Sequence, residues 1–200
     1  MRRNFVAGML VVCLVVATAG CSRSPRVTFY TLESAAQVET AAAGTAVPAV
    51  AVGPVTLPEL VDRPQFVVRV AANRVEILET HRWAEPLKSE IPRLIAENLR
   101  RLLGSSRVSS YLHHAGADAD YRVLVDIQRF ESSPGEAVTV EALWSLRRVA
   151  GGTPVTGRSL VREPVGAEGY DLLSAAYGRA LLSVSRDLAM AIRAEAAVGN

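Results

Sequence analysis

The chain has 200 residues, 50% of them hydrophobic and 21% charged, with 22 Lys and Arg against 20 Asp and Glu for a net charge of +2. That length fits one ordinary domain able to bury a core without covalent staples, and a charge so near balance excludes the basic excess that a nucleic-acid partner requires. Two cysteines, Cys13 and Cys21, and one lysine, Lys88, leave little for thiol, thiolate-metal or phosphate-loop chemistry.

Met1-Arg2-Arg3 is a positive start, and Phe5 to Ala17 is an apolar run too short to stay in a bilayer as a spanning helix. Residues 1–20 are therefore expected to be a signal peptide. The run ends in Thr18-Ala19-Gly20-Cys21, which resembles the lipobox of bacterial lipoproteins, with Thr18 where an aliphatic residue is usual. The resemblance implies cleavage before Cys21 and acylation of Cys21. Ser22 in the next place implies transfer to the outer membrane, with residues 21–26 as a lipidated tether. An ordinary secretory signal with a chance cysteine is the alternative. Each buried methylene contributes about 0.8 kcal/mol, so several acyl chains hold a protein firmly where one does not. Losing Arg2 and Arg3 from the 22 basic residues leaves 20 against 20 acids, and the mature chain has no free thiol.

Val27 to Leu32 alternates with strand propensity, and Glu33 to Pro48, alanine-rich and without an apolar period, reads as a loop. Ala49 to Val55 is a buried-strand candidate stopped by Gly53-Pro54, followed by a proline-punctuated connection from Leu57 to Pro64. Phe66, Val68 and Val70, then Val75 and Ile77, alternate with polar residues and predict a hairpin with one buried face. From about Pro86 to Leu103 the apolar stripe Leu87, Ile91, Leu94, Ile95 and Leu102 predicts a helix ended by Gly104. Arg107 to Leu112 reads as a short strand, and a loop with Gly116 follows. Two half-buried strands, around Tyr121–Ile127 and Val138–Leu146, are joined through Ser132 to Gly135, and a third lies near Val155 to Glu163. Leu173, Tyr177, Leu181, Val184, Leu188 and Ile192 mark a second amphipathic helix with Asp171 as its N-cap. The order predicts an α+β fold, a mostly antiparallel sheet with two amphipathic helices packed on one face.

Several strings together resemble the ABC-type transport auxiliary lipoprotein family: Tyr30-Thr31-Leu32, Gly53-Pro54-Val55, Asp62-Arg63-Pro64, Arg82-Trp83-Ala84-Glu85-Pro86-Leu87, and Glu97-Asn98-Leu99. The similarity covers residues 27–197, and its best-known member belongs to the paraquat-inducible transport system. It implies an outer-membrane lipoprotein facing the periplasm that docks the tube of an MCE-domain protein to that membrane, and so supports lipid transport and membrane integrity. Its indirect partners would be an ABC permease and ATPase, and the symmetry of MCE tubes suggests a homo-oligomeric ring. Asp62, Arg63, Pro64, Arg82, Trp83, Glu85, Pro86 and Asn98 form a candidate structural or partner-binding motif. The alternative is a periplasmic lipoprotein that carries a lipid or small ligand itself, which needs an unfilled apolar pocket between sheet and helices.

The residues point to no enzyme, cofactor or metal. Ser159 lacks the second glycine of a nucleophile elbow, and His81, His113 and His114 lack the spacing that sets two imidazoles on one helical face. Asp118 and Asp120 read as solvated turn acids and not a calcium site. Trp83 and Trp144 are expected in the core, with an interface role as the competing reading. Arg63 and Arg82 are expected to hold carboxylates or backbone carbonyls, the rival view being contact with a partner or phospholipid head groups.

Overall fold

The computed structural model describes residues 25–34, 48–110 and 118–198. Cys21 and the signal segment, most of the alanine-rich loop, His113, His114 and Gly116 lie outside the described residues.

Strong alternation builds the largest unit, an antiparallel meander of β6 (Tyr121–Ser133), β7 (Ala137–Arg148) and β8 (Val155–Pro164). On β6 and β7 the apolar residues Val123, Val125, Ile127, Val138, Val140 and Ala142 are all buried. β2 (Val50–Thr56) joins this meander parallel to β6, with β5 (Val108–Ser110) parallel on its other side, giving the order β5-β2-β6-β7-β8. A strand with parallel neighbours is covered on both faces, and Val50, Ala51 and Val52 are accordingly buried in succession. β2 does not stop at Gly53-Pro54 as expected. Gly53 takes φ 115°, the Gly53–Pro54 bond is cis, and pairing resumes at Val55 opposite Val125 after a register shift. The breaker residues make an irregularity inside the strand and not its end.

Helix α1 (Leu87–Leu103) lies over β2 and β5, α2 (Tyr170–Val198) lies over β7 and β8, and the two helices touch. Both expected helices therefore share one face of the five-stranded sheet. α1 ends as predicted, with Gly104 left-handed at φ 63° and its N–H turned back onto the last carbonyls. α2 starts one residue earlier than the expected cap: Asp171 is in the first turn, where its charge meets the positive helix end, and Gly169 O accepts Leu173 N at 3.2 Å.

A second sheet, β1-β4-β3, packs at the end of the first. β3 (Gln65–Ala71) and β4 (Arg74–Trp83) are the expected hairpin, and β1 (Thr28–Tyr30) is parallel to β4. The single buried face is corrected in detail: Val70 and Ile77 are exposed, whereas Val67 is buried. Val67 sits over the end of β6, where Ser132 Oγ donates to its carbonyl at 3.1 Å, so both hairpin faces are partly covered. The class is α+β as expected, but the strands are mixed and divided into two sheets. β1–β4, β2–β5 and β2–β6 are parallel: β2 and β3 lie between β1 and β4, and the hairpin and α1 carry the chain back between β2 and its two partners.

Candidate functional site

The motif strings converge where the chain enters the fold. From the last residue of β1 onward, residues 30–34 form a strap gripped from both helices. Ala84 N donates to Tyr30 O at 2.8 Å, and Ser174 Oγ from α2 donates to Thr31 O at 2.6 Å. Leu32 N donates to Glu90 Oε1 of α1 at 2.7 Å, and Ser34 Oγ donates to Asn98 Oδ1 at 2.7 Å. Glu33 passes over Gly178 of α2 so closely that a Cβ there would stand 2.3 Å from the Glu33 carbonyl oxygen. Only glycine lets the two backbones approach in this way.

Asn98 is fully buried and also donates from Nδ2 to Ser185 Oγ at 3.3 Å, so it ties α1 to α2 as well as to the strap. Pro86 precedes α1, where its missing N–H costs nothing, and its carbonyl accepts from Ser89 N and Glu90 N. Trp83 closes β4: its ring stacks on Phe66 with centroids 4.5 Å apart, and its backbone N–H donates to Pro64 O at 2.7 Å. Tyr177 stacks on Phe130 at 3.9 Å and meets Trp83 edge-on, so Trp83 lies in an aromatic core. Trp144 is half-buried, its Nε1 donating to Ser159 Oγ at 3.1 Å.

The charged members stand at the rim of this junction. Asp62 pairs with Lys88 at 2.6 Å, and Glu85 with Arg93 at 2.8 Å. Arg82 Nε donates to Glu79 O at 3.0 Å, with the Glu79 carboxylate 3.5 Å from its other end. Arg63 is only partly exposed, and its Nε is buried with no hydrogen-bond partner among the described residues.

The principal residue that sequence reasoning passed over is Glu90. It lies on the buried stripe of α1, three residues after Leu87 and four before Leu94, and only 1% of it is exposed. That spacing was the available signal. Oε1 holds the strap while Oε2 is buried without a hydrogen-bond partner among the described residues, and burial raises the carboxyl above its ordinary range. The Leu32 N–H and Arg93 pull it back down, and Glu85 adds to the rise. Burial likewise pushes the Tyr177 phenol upward.

The other polar side chains singled out in the sequence tie elements together. Ser159 Oγ donates to Asp187 Oδ2 at 2.5 Å and so serves as a β8–α2 tie. His81 is engaged by Tyr30 OH at 2.7 Å and lies against Tyr170. Asp120 Oδ2 accepts Ala49 N at 2.7 Å, and no group of three metal-ligating side chains occurs among the described residues. A cleft of about 530 Å³ opens between α1 and β5, but Arg93, Arg100, Arg107 and Asp118 line it. The helix–sheet interface itself is filled by Ile91, Ile95, Leu99, Tyr177, Leu181 and Leu188.

Residues 30–189 match the model of a family described as the ABC-type transport auxiliary lipoprotein component. The crystal structure of an uncharacterized protein superposes with a TM-score of 0.68 at 18% identity, covering 84% of this chain and 99% of the other. The crystal structure of a DUF330-family protein from Xanthomonas campestris gives 0.66 at 19% identity, covering 82% and 93%. At these identities the likeness shows the fold alone. A comparison with curated proteins finds no match.

Proposed function

The chain belongs to the ABC-type transport auxiliary lipoprotein family, which spans residues 30–189 of it, and from that membership we propose that it is the outer-membrane docking subunit of an envelope-spanning lipid carrier. In this reading Cys21 carries the lipid anchor, the body faces the periplasm, and it works by contact with the tube of an MCE-domain protein. The permease and ATPase stand at the far end. Copies arranged as a ring around the tip would match the symmetry of such a tube.

The family match carries the proposal. A body that works by contact needs a stiff frame, and the filled helix–sheet interface supplies one. The same filling disfavours the cargo-carrying alternative, which needs an apolar cavity there. The exposed rim of the junction, with Asp62 and Glu85, is a polar surface suited to a protein partner.

Co-purification from detergent-extracted membranes tests this reading. The wild type should bring down an MCE-domain protein, and Cys21→Ala should lose it together with membrane association. A wild type that is acylated yet recovers no MCE-domain protein under cross-linking would overturn the docking assignment.

A further inference from the structure

Among the described residues Phe29 is the most exposed large hydrophobic side chain, at 63%. Strand alternation explains it: Tyr30 turns inward onto Phe66 and Tyr170, so Phe29 must turn outward. Val27, two residues earlier and therefore on the same side, is 41% exposed. The parallel register sets Arg82 beside Phe29, with its side chain 36% exposed, and Arg26 is exposed as well. Glu79 is an acid within reach of this group, and it already pairs with Arg82. Two apolar side chains thus stand outward on an edge strand, with Arg82 beside Phe29 and Arg26 next to Val27 in sequence.

Their place in the chain says what covers them. Phe29 is eight residues beyond Cys21, a reach of at most about 28 Å at about 3.5 Å per residue. We propose that Val27 and Phe29 enter the head-group region of the leaflet that holds the anchor, while Arg26 and Arg82 meet its phosphates. The proposal rests on the anchor reading above. An aromatic ring beside an arginine suits that boundary, where the ring leaves water, the arginine stems lie along the acyl region and the guanidinium forks take phosphate oxygens. Acyl chains alone would hold the body without fixing its orientation. The patch would set which side of the body faces the membrane and which is offered to partners.

The test uses the full chain, made with its own signal and kept in membranes, with Phe29→benzoylphenylalanine as a photocrosslinker. The control site is Met190, equally exposed at 61% but 20 residues along α2 from Tyr170, about 30 Å away at 1.5 Å per residue. Mass spectrometry reads the adducts and, in the same sample, acylation of Cys21. Phospholipid adducts at position 29, and their loss at position 190, are the expected result. With Cys21 acylated, adducts to protein only, or equal lipid labelling at both sites, overturn the patch and leave the anchor standing. An unacylated Cys21 overturns the anchor reading, and the patch falls with it.

Discussion

Gly178→Ala is the sharpest test of the strap. Replacing an internal helical glycine by alanine favours the helix by about 0.5–1 kcal/mol, so propensity alone predicts a gain. The structure predicts the reverse. The new methyl would stand 2.3 Å from Glu33 O, whereas ordinary contact begins at 3.4 Å, so backbone and not a yielding side chain must move by about 1 Å. The bonds on either side of Glu33 cannot follow: Leu32 N to Glu90 is already at 2.7 Å, as is Ser34 Oγ to Asn98. Losing the charge-assisted bond costs about 1.5–3 kcal/mol and the neutral one about 1 kcal/mol. Against the helical gain, the net expectation is a loss of about 2–3 kcal/mol. Urea denaturation of the wild type and Gly178→Ala gives that difference directly, and amide exchange locates it in residues 30–34. Adding Glu90→Leu should give a double variant less destabilised than the sum of the two, because both act on one strap. A stabilised Gly178→Ala protein with unchanged exchange in the strap would refute the reasoning.

Glu90 should make stability fall toward neutral pH. Its folded-state carboxyl is raised, chiefly by burial, so the native state holds the proton more tightly than the unfolded chain. That contribution is full below the unfolded carboxylate range and is lost as pH rises through the raised folded value; Glu90→Gln should flatten this part of the denaturation profile, and a parallel profile would count against it. Gly157→Ala would place a methyl 2.1 Å from the Trp144 ring, an overpacking cost of about 1–3 kcal/mol. Thermal denaturation should show that cost largely relieved when Trp144→Leu is added. Lys88→Gln should shift stability by no more than about 1 kcal/mol, since its pair with Asp62 is half in solvent, whereas Trp83→Ala should cost about 3–5 kcal/mol in the same assay.

How far the sequence foretells this molecule depends on how local each cause is. The meander from Tyr121 to Glu163 and the stripe of α1 are visible because alternation and steps of three and four are set by neighbouring residues. The parallel placing of β2 between β5 and β6 is not, because it depends on partners far away in the chain. Gly53-Pro54 looks like a terminator and becomes a register shift, since β6 runs on beside it and pairs again with Val55 and Thr56. Ile77 looks like a core residue and is exposed, because the register sets it opposite Val67 on the hairpin face away from Phe66 and Val68, and cover on that face reaches Val67 and not Ile77. At the junction, Trp83, Pro86 and Asn98 stood out as strings, but their shared purpose did not. That purpose arises from Gly178 and Ser174, which are ordinary helix residues until the strap is laid across them. Glu90 sat in plain view on an apolar stripe, masked by the expectation that a glutamate faces water.

The grip on residues 30–34 also has a mechanical meaning. A pull at the amino end does not meet a single ladder that can be unpicked bond by bond. Past β1 it meets ties to Ala84, to α1 and to α2 within five residues, spread over three directions. Tension applied at the amino end is thus shared out across the whole body.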